Sequence, residues 1–173
     1  AFVASHGGSL FDRPAWLAAV AAGTGQQAHG LVAEQDGQLT GWLPLTELHS
    51  PLFGRALASS GFAVDGGVLA TMANTTELLL AAAEELAARL SCSGIELRGP
   101  AARDGWRERH DRHCGFVLPL ASDDEAQLLT IPRKQRAEVR KGLAGELTVS
   151  IGSDETERAA HYAVYAQSVR NLG

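Results

Sequence analysis

The sequence predicts a mixed α/β protein: a mixed sheet flanked by helices, followed by the first half of a second unit of the same kind. Three observations carry this. Helix-spaced and strand-spaced apolar patterns follow one another in the order helix, three strands, helix, strand; a polar stretch then interrupts them; and a second series opens but reaches only two strands. Two strands alone are marginal, so this second series has too little sheet to cover its apolar faces. The same patterns also permit both units to join in one mixed sheet of about six strands. The 173 residues, 45% hydrophobic and 20% charged, suffice for one core, or for one domain and part of another.

The first helix spans Arg13 to Gly23, with Asp12 as N-cap, Pro14 in the first turn, and Trp16, Leu17 and Val20 on one side. Residues 29–34 and 38–48 are apolar runs joined by Asp36-Gly37, the strongest hairpin signal in the chain. A strand from Arg55 to Ser59 follows the Ser50-Pro-Leu-Phe-Gly punctuation. Beyond it, Gly66 and Gly67 make a turn or allow a close backbone approach. Thr75 or Thr76 caps a helix running to Leu90, with Leu78, Leu79, Ala82, Leu86 and Leu90 on its packed side. The strand at 94–100 puts Glu96 and Arg98 on one face and Ile95 and Leu97 on the other. Trp16, Trp42 and Phe53 are expected in the core.

Residues 1–105 thus form the first unit, 106–114 the connection and 115–173 the incomplete second unit. In the latter, strands are expected at 115–120 and 146–151. Helices are expected from Asp123 to Leu129, after Pro132, and from Asp154 towards Arg170.

The formal charge of −5 excludes general coating of nucleic acid, yet it hides a concentration. Arg133, Lys134, Arg136, Arg140 and Lys141 stand against Glu138, giving residues 133–141 a net +4 and the remainder −9. At about 100° per residue, Arg133, Arg136 and Arg140 share one stripe and Lys134 and Lys141 an adjacent one. Such a ladder can face phosphates. It is otherwise a solvated face paired with Asp123, Asp124 and Glu125.

No apolar run approaches the roughly 20 residues of a membrane span. Two cysteines and the absence of a charged-then-apolar leader before Phe2 suit a cytoplasmic protein. No Gly-x-Ser-x-Gly elbow is present, and neither cysteine has a catalytic flank. Gly23-Thr-Gly25 ends a helix instead of opening one, so a phosphate-binding role there is weak and acyl-coenzyme A is disfavoured as donor. No cofactor is expected. His110, His113 and Cys114 lie close together, but no second cluster completes four ligands, and no metal is expected. His161, beside Tyr162 and Tyr165, is expected to pack.

Five strings, Ser50-Pro-Leu-Phe-Gly-Arg, Ser60-Gly-Phe-Ala-Val-Asp-Gly-Gly, Glu96-Leu-Arg-Gly, Ile131-Pro-Arg-Lys-Gln-Arg-Ala-Glu-Val-Arg-Lys and Tyr165-Ala-Gln-Ser-Val-Arg-Asn-Leu-Gly, together resemble the FemAB-related proteins associated with the PEP-CTERM/exosortase system. The likeness runs over nearly the whole chain. It implies a tandem of GNAT-like acyltransferase modules, the second continuing beyond Gly173. It also implies transfer of an aminoacyl or acyl group from an activated anionic donor, such as aminoacyl-tRNA, to an amine of an envelope precursor or peptide, with a role in peptidoglycan or exopolysaccharide biogenesis. In GNAT-like folds, the resemblance implies, the acyl carbonyl lies between two splayed strands and accepts from backbone N–H. It further implies that Arg170 and Asn171 face substrate.

That chemistry needs an uncharged, aligned amine and donors aimed at the oxyanion, with no side-chain nucleophile. Asp65 is the candidate proton acceptor, with Gly66 and Gly67 exposing N–H groups; the alternative is a turn whose Asp caps its own backbone. Arg98, with Glu96, is a candidate substrate contact or an ordinary surface pair. Arg133, Lys134, Arg136 and Arg140 are the donor-binding candidates. The 173 residues by themselves are expected to be inactive. Two rivals remain: a non-catalytic envelope-assembly binding module, and a coenzyme A-dependent N-acetyltransferase.

Overall fold

The computed structural model describes residues 1–99, 103–110 and 114–173, and the chain divides into two units, Ala1–Arg112 and His113–Gly173. In the first, Asp36 and Gly37 adopt φ of 52° and 75°, the left-handed pair that a tight hairpin requires, and join β1 (Gln27–Gln35) to β2 (Gln38–Ser50). A second turn leads to β3 (Gly54–Ser59), and later come β4 (Leu69–Ala70) and β5 (Ile95–Glu96). The strand order is β1-β2-β3-β5, with β4 on β2; β3 and β5 are parallel and the other pairs antiparallel. This is the expected mixed sheet.

Helices cover both faces. A short α1 (Phe2–Ser5) and a 3-10 turn (Leu10–Asp12) precede α2 (Pro14–Thr24), which packs on β1 and β2; α3 (Ala73–Arg89) packs on the same strands and on β5. The middle of β2 is therefore buried on both sides. Leu43 and Leu45 join Leu57 of β3 and Leu79, Ala83, Leu86 and Ala87 of α3 in the core. On the opposite face the Trp42 indole donates to the Asp12 carbonyl (2.6 Å) and the Trp16 indole to that of Gly61 (3.1 Å).

Several expectations need correction. Met72 is the N-cap of α3, without a side-chain bond, and Thr75 is a buried residue of the helix's first turn. The packed stripe runs through Leu79, Leu80, Ala83, Leu86 and Ala87, while Leu78 is exposed, because α3 is rotated from the expected phase to seat small alanines on the sheet. Trp16 and Trp42 are half-buried, but Phe53 is 83% exposed at the tip of the β2–β3 turn.

The second unit holds three helices, α4 (Asp124–Thr130), α5 (Arg133–Leu143) and α6 (Glu155–Leu172). Its expected strands are absent: residues 115–120 and 146–151 have no regular structure, and Phe116 and Ile151 are 93% and 98% exposed. Alternating apolar residues make a strand only when another edge completes the ladder, and neither segment has one among the described residues. Asp154 caps α6 through the Glu157 N–H (2.9 Å), and His161, expected to pack, is exposed.

Asp123 caps α4 by accepting from the Ala126 N–H (2.8 Å). That bond, with help from the Ser122 hydroxyl, holds the carboxyl below its ordinary range. A carboxylate depressed in the folded state stabilises above its unfolded pKa of about 3.9 and loses that contribution as pH falls through the lower folded value. Carbon chemical shifts of residues 124–130 should therefore report loss of α4 on acidification. Asp123→Asn, an equally good N-cap, should abolish the pH dependence.

Candidate functional site

The ladder on β2 breaks at Pro44. Its carbonyl accepts from the Ser60 N–H (3.3 Å), so its nitrogen, with no hydrogen to donate, faces the same edge. Antiparallel pairing with β3 ends at Leu45–Ser59 and resumes with β4 at Trp42–Leu69. Between them the chain loops out as Ser60–Gly67.

This loop is strained and tightly anchored. Ser60 and Phe62 lie at φ of 52° and 60°, uncommon for residues with side chains. The Ser60 hydroxyl donates to the Phe11 carbonyl (2.7 Å), the Gly61 N–H to Thr46 Oγ1 (3.1 Å), and the Ala63 N–H to the Ser60 carbonyl (3.1 Å). The Arg98 guanidinium donates to the Ala63 carbonyl and, through Nε, to Glu96 Oε1 (2.9 Å).

The parallel ladder of β3 and β5 stops at Ala58–Glu96; just beyond it, the Arg98 N–H donates to the Ser59 hydroxyl (3.0 Å) in place of a main-chain partner. There Gly67 meets Gly99 so closely that a β-carbon on Gly67 would lie 3.1 Å from the Gly99 Cα. Asp65, Gly66, Gly67 and Arg98 are thus brought into one patch. Asp65 Oδ1 accepts from the Gly66 N–H (2.8 Å), as in the turn alternative, while Oδ2 has no hydrogen-bond partner among the described residues.

The remaining candidates belong to the second unit. Arg136 turns back on α4, donating through Nη2 to the Leu129 and Ile131 carbonyls (3.3 and 3.0 Å) and through Nε to Ile131 (3.3 Å). Its role there is to cap the end of α4. Among the described residues, no carboxylate lies within 4.0 Å of Arg133, Lys134, Arg140 or Lys141; Asp123, Asp124 and Glu125 make no ion pair with them. Arg170 and Asn171 occupy the exposed last turn of α6. His113 lies outside the described residues, and no group of three metal-ligating side chains occurs among those described. Nor is any described helix long and apolar enough to cross a membrane.

Two arrangements escaped the sequence reading. Glu47, buried, pairs with His29 (3.1 Å) and Arg55 (3.4 Å); Cys92 lies near enough that burial, then Glu47, push its thiol up while Arg55 opposes them. The signal for Glu47 is a carboxylate in phase with Leu43 and Leu45. Beyond β5, Arg103 pairs with Glu77 (3.5 Å) and Glu84 (2.9 Å), and the Trp106 indole donates to Glu84 (2.8 Å), so this polar stretch straps onto α3.

No protein-family model matches the chain, and no curated protein does. Among solved structures it is similar to a ribosomal-protein-alanine N-acetyltransferase from Brucella melitensis biovar Abortus 2308, with 16% identity over 74% of this chain and 69% of that one and a TM-score of 0.36. It is also similar to a GNAT family acetyltransferase from Staphylococcus aureus subsp. aureus USA300_TCH1516, with 18% identity over 54% of this chain and 65% of that one and a TM-score of 0.38.

Proposed function

We propose that this chain contributes to an enzyme that moves an acyl group from an activated anionic donor to an amine. In its finer form, the reading is aminoacyl transfer from aminoacyl-tRNA to an amine of a cell-envelope or exopolysaccharide precursor. One observation carries it: the segments leaving the carboxyl ends of the parallel strands β3 and β5 converge on a single patch, the place where sheets of this kind bind ligands. An amine must lose a proton to attack, and the exposed Asp65 carboxylate, with Oδ2 unengaged among the described residues, is the group on that patch able to accept it. Arg133, Lys134 and Arg140 supply separate cationic contacts suited to donor phosphates.

A binding module without turnover is the second reading, favoured by the Gly67–Gly99 contact, which brings two backbone segments together beyond the last pair of the β3–β5 ladder. The intact gene product, incubated with labelled aminoacyl-tRNA or acetyl-coenzyme A and a peptide amine, separates the two. Label should move to the amine from the tRNA and not from the coenzyme. Asp65→Asn should lower turnover by about a hundredfold without changing the circular dichroism spectrum. Peptide binding with no transfer from either donor would establish the binding module.

A further inference from the structure

Phe62 is held in a left-handed conformation that costs a bulky residue energy, and its ring is nevertheless 60% exposed. Val64, two residues on, is 87% exposed, while Ala63 between them is buried and its carbonyl is gripped by Arg98. Strain of this kind persists only where surrounding bonds over-determine it, and it clusters at ligand clamps. Here the anchors are Phe11, Thr46, Trp16 and Arg98, all outside the loop. None of them needs the Phe62 ring.

Charge narrows the ligand. Glu96 neutralises Arg98, whereas no cation lies within 4.0 Å of Asp65 among the described residues. Phe62 and Val64, both exposed, thus lie within three residues of an exposed carboxylate that has no cation partner among the described residues, and an aromatic face itself attracts an ammonium group.

The geometry points to the Ser60–Gly67 loop as a binding site for a primary ammonium carried on an apolar group. This rests on the acyl-acceptor reading above and extends it by naming what surrounds the amine. Phe62 and Val64 hold the apolar part, and Asp65 holds the ammonium.

The test is an NMR titration of the 173-residue chain with L-leucinamide, glycinamide and N-acetyl-L-leucinamide. L-leucinamide should shift the backbone amides of residues 60–67 and bind about tenfold more tightly than either of the others, a difference of about 1.4 kcal/mol. Phe62→Asn suits the left-handed conformation, so it should keep Tm and lose the preference over glycinamide. Asp65→Asn should lose the preference over the acetylated probe. Equal affinity for the three probes, or a fall in Tm for Phe62→Asn, overturns the assignment. Failure here with acyl transfer intact refutes the acceptor site alone; selective binding without transfer refutes the reaction alone.

Discussion

Replacing Leu57 by alanine should lower the unfolding free energy by about 2–5 kcal/mol, read from the urea midpoint. Leu57 is fully buried in β3, opposite Glu47 in the antiparallel ladder and Ile95 in the parallel one. It therefore joins both kinds of pairing to α3. The loss has two parts, the apolar transfer energy of the removed carbons and the cavity left behind. Ala83 and Ala87 of the facing helix carry no longer side chain to swing into that space, which places the effect in the upper half of the range. Leu52→Ala is the control: with Leu52 on the exposed turn, its effect should stay within about 0.5 kcal/mol. A change below about 1 kcal/mol for Leu57→Ala would show that α3 is not seated on this face.

Gly99→Ala should cost about 1–3 kcal/mol and release the Ser60–Gly67 loop. A β-carbon on Gly99 would stand 2.8 Å from the Gly66 carbonyl oxygen and 3.1 Å from the Gly67 Cα. Both are backbone atoms, so no side-chain rotation relieves the contact, and the loop must move off β5. Faster hydrogen exchange at the amides of residues 60–67 is the expected signature. Gly94→Ala, whose β-carbon would meet nothing within 4 Å, should leave those amides unchanged. Unaltered exchange in Gly99→Ala would mean that the close approach does not hold the loop.

Much of the first unit is legible in its residues. Asp36-Gly37 specifies the hairpin, and Glu96 and Arg98 pair as their spacing suggests, although β5 itself ends at Glu96. The glycine pair at 66 and 67 reads equally as a turn or as a close backbone approach; the structure has both the turn and the approach, to Gly99, a partner too distant in sequence for the local pattern to name. Pro44 was equally visible, but its effect depends on which edge of β2 its nitrogen faces, a matter of register. Phe62 and Ser60 look ordinary in sequence; their backbone conformation is imposed by Phe11, Thr46 and Arg98 from elsewhere. In the second unit, local signals placed the helices, while strand pairing at 115–120 and 146–151 needed non-local edges that local alternation does not provide. Arg136 belonged to the basic stripe by spacing, yet the carbonyls ending α4 claim its guanidinium.

Within the first unit, β1 closes one side of the sheet with nine residues whose outer amides and carbonyls meet no neighbouring strand among the described residues. The register shift at Ala33/Glu34 is the irregularity that interrupts this border. An extended chain from another molecule would find a template there, and at high concentration the unit is disposed to join edge to edge. Glu34, exposed beside that kink, is placed to discourage such growth.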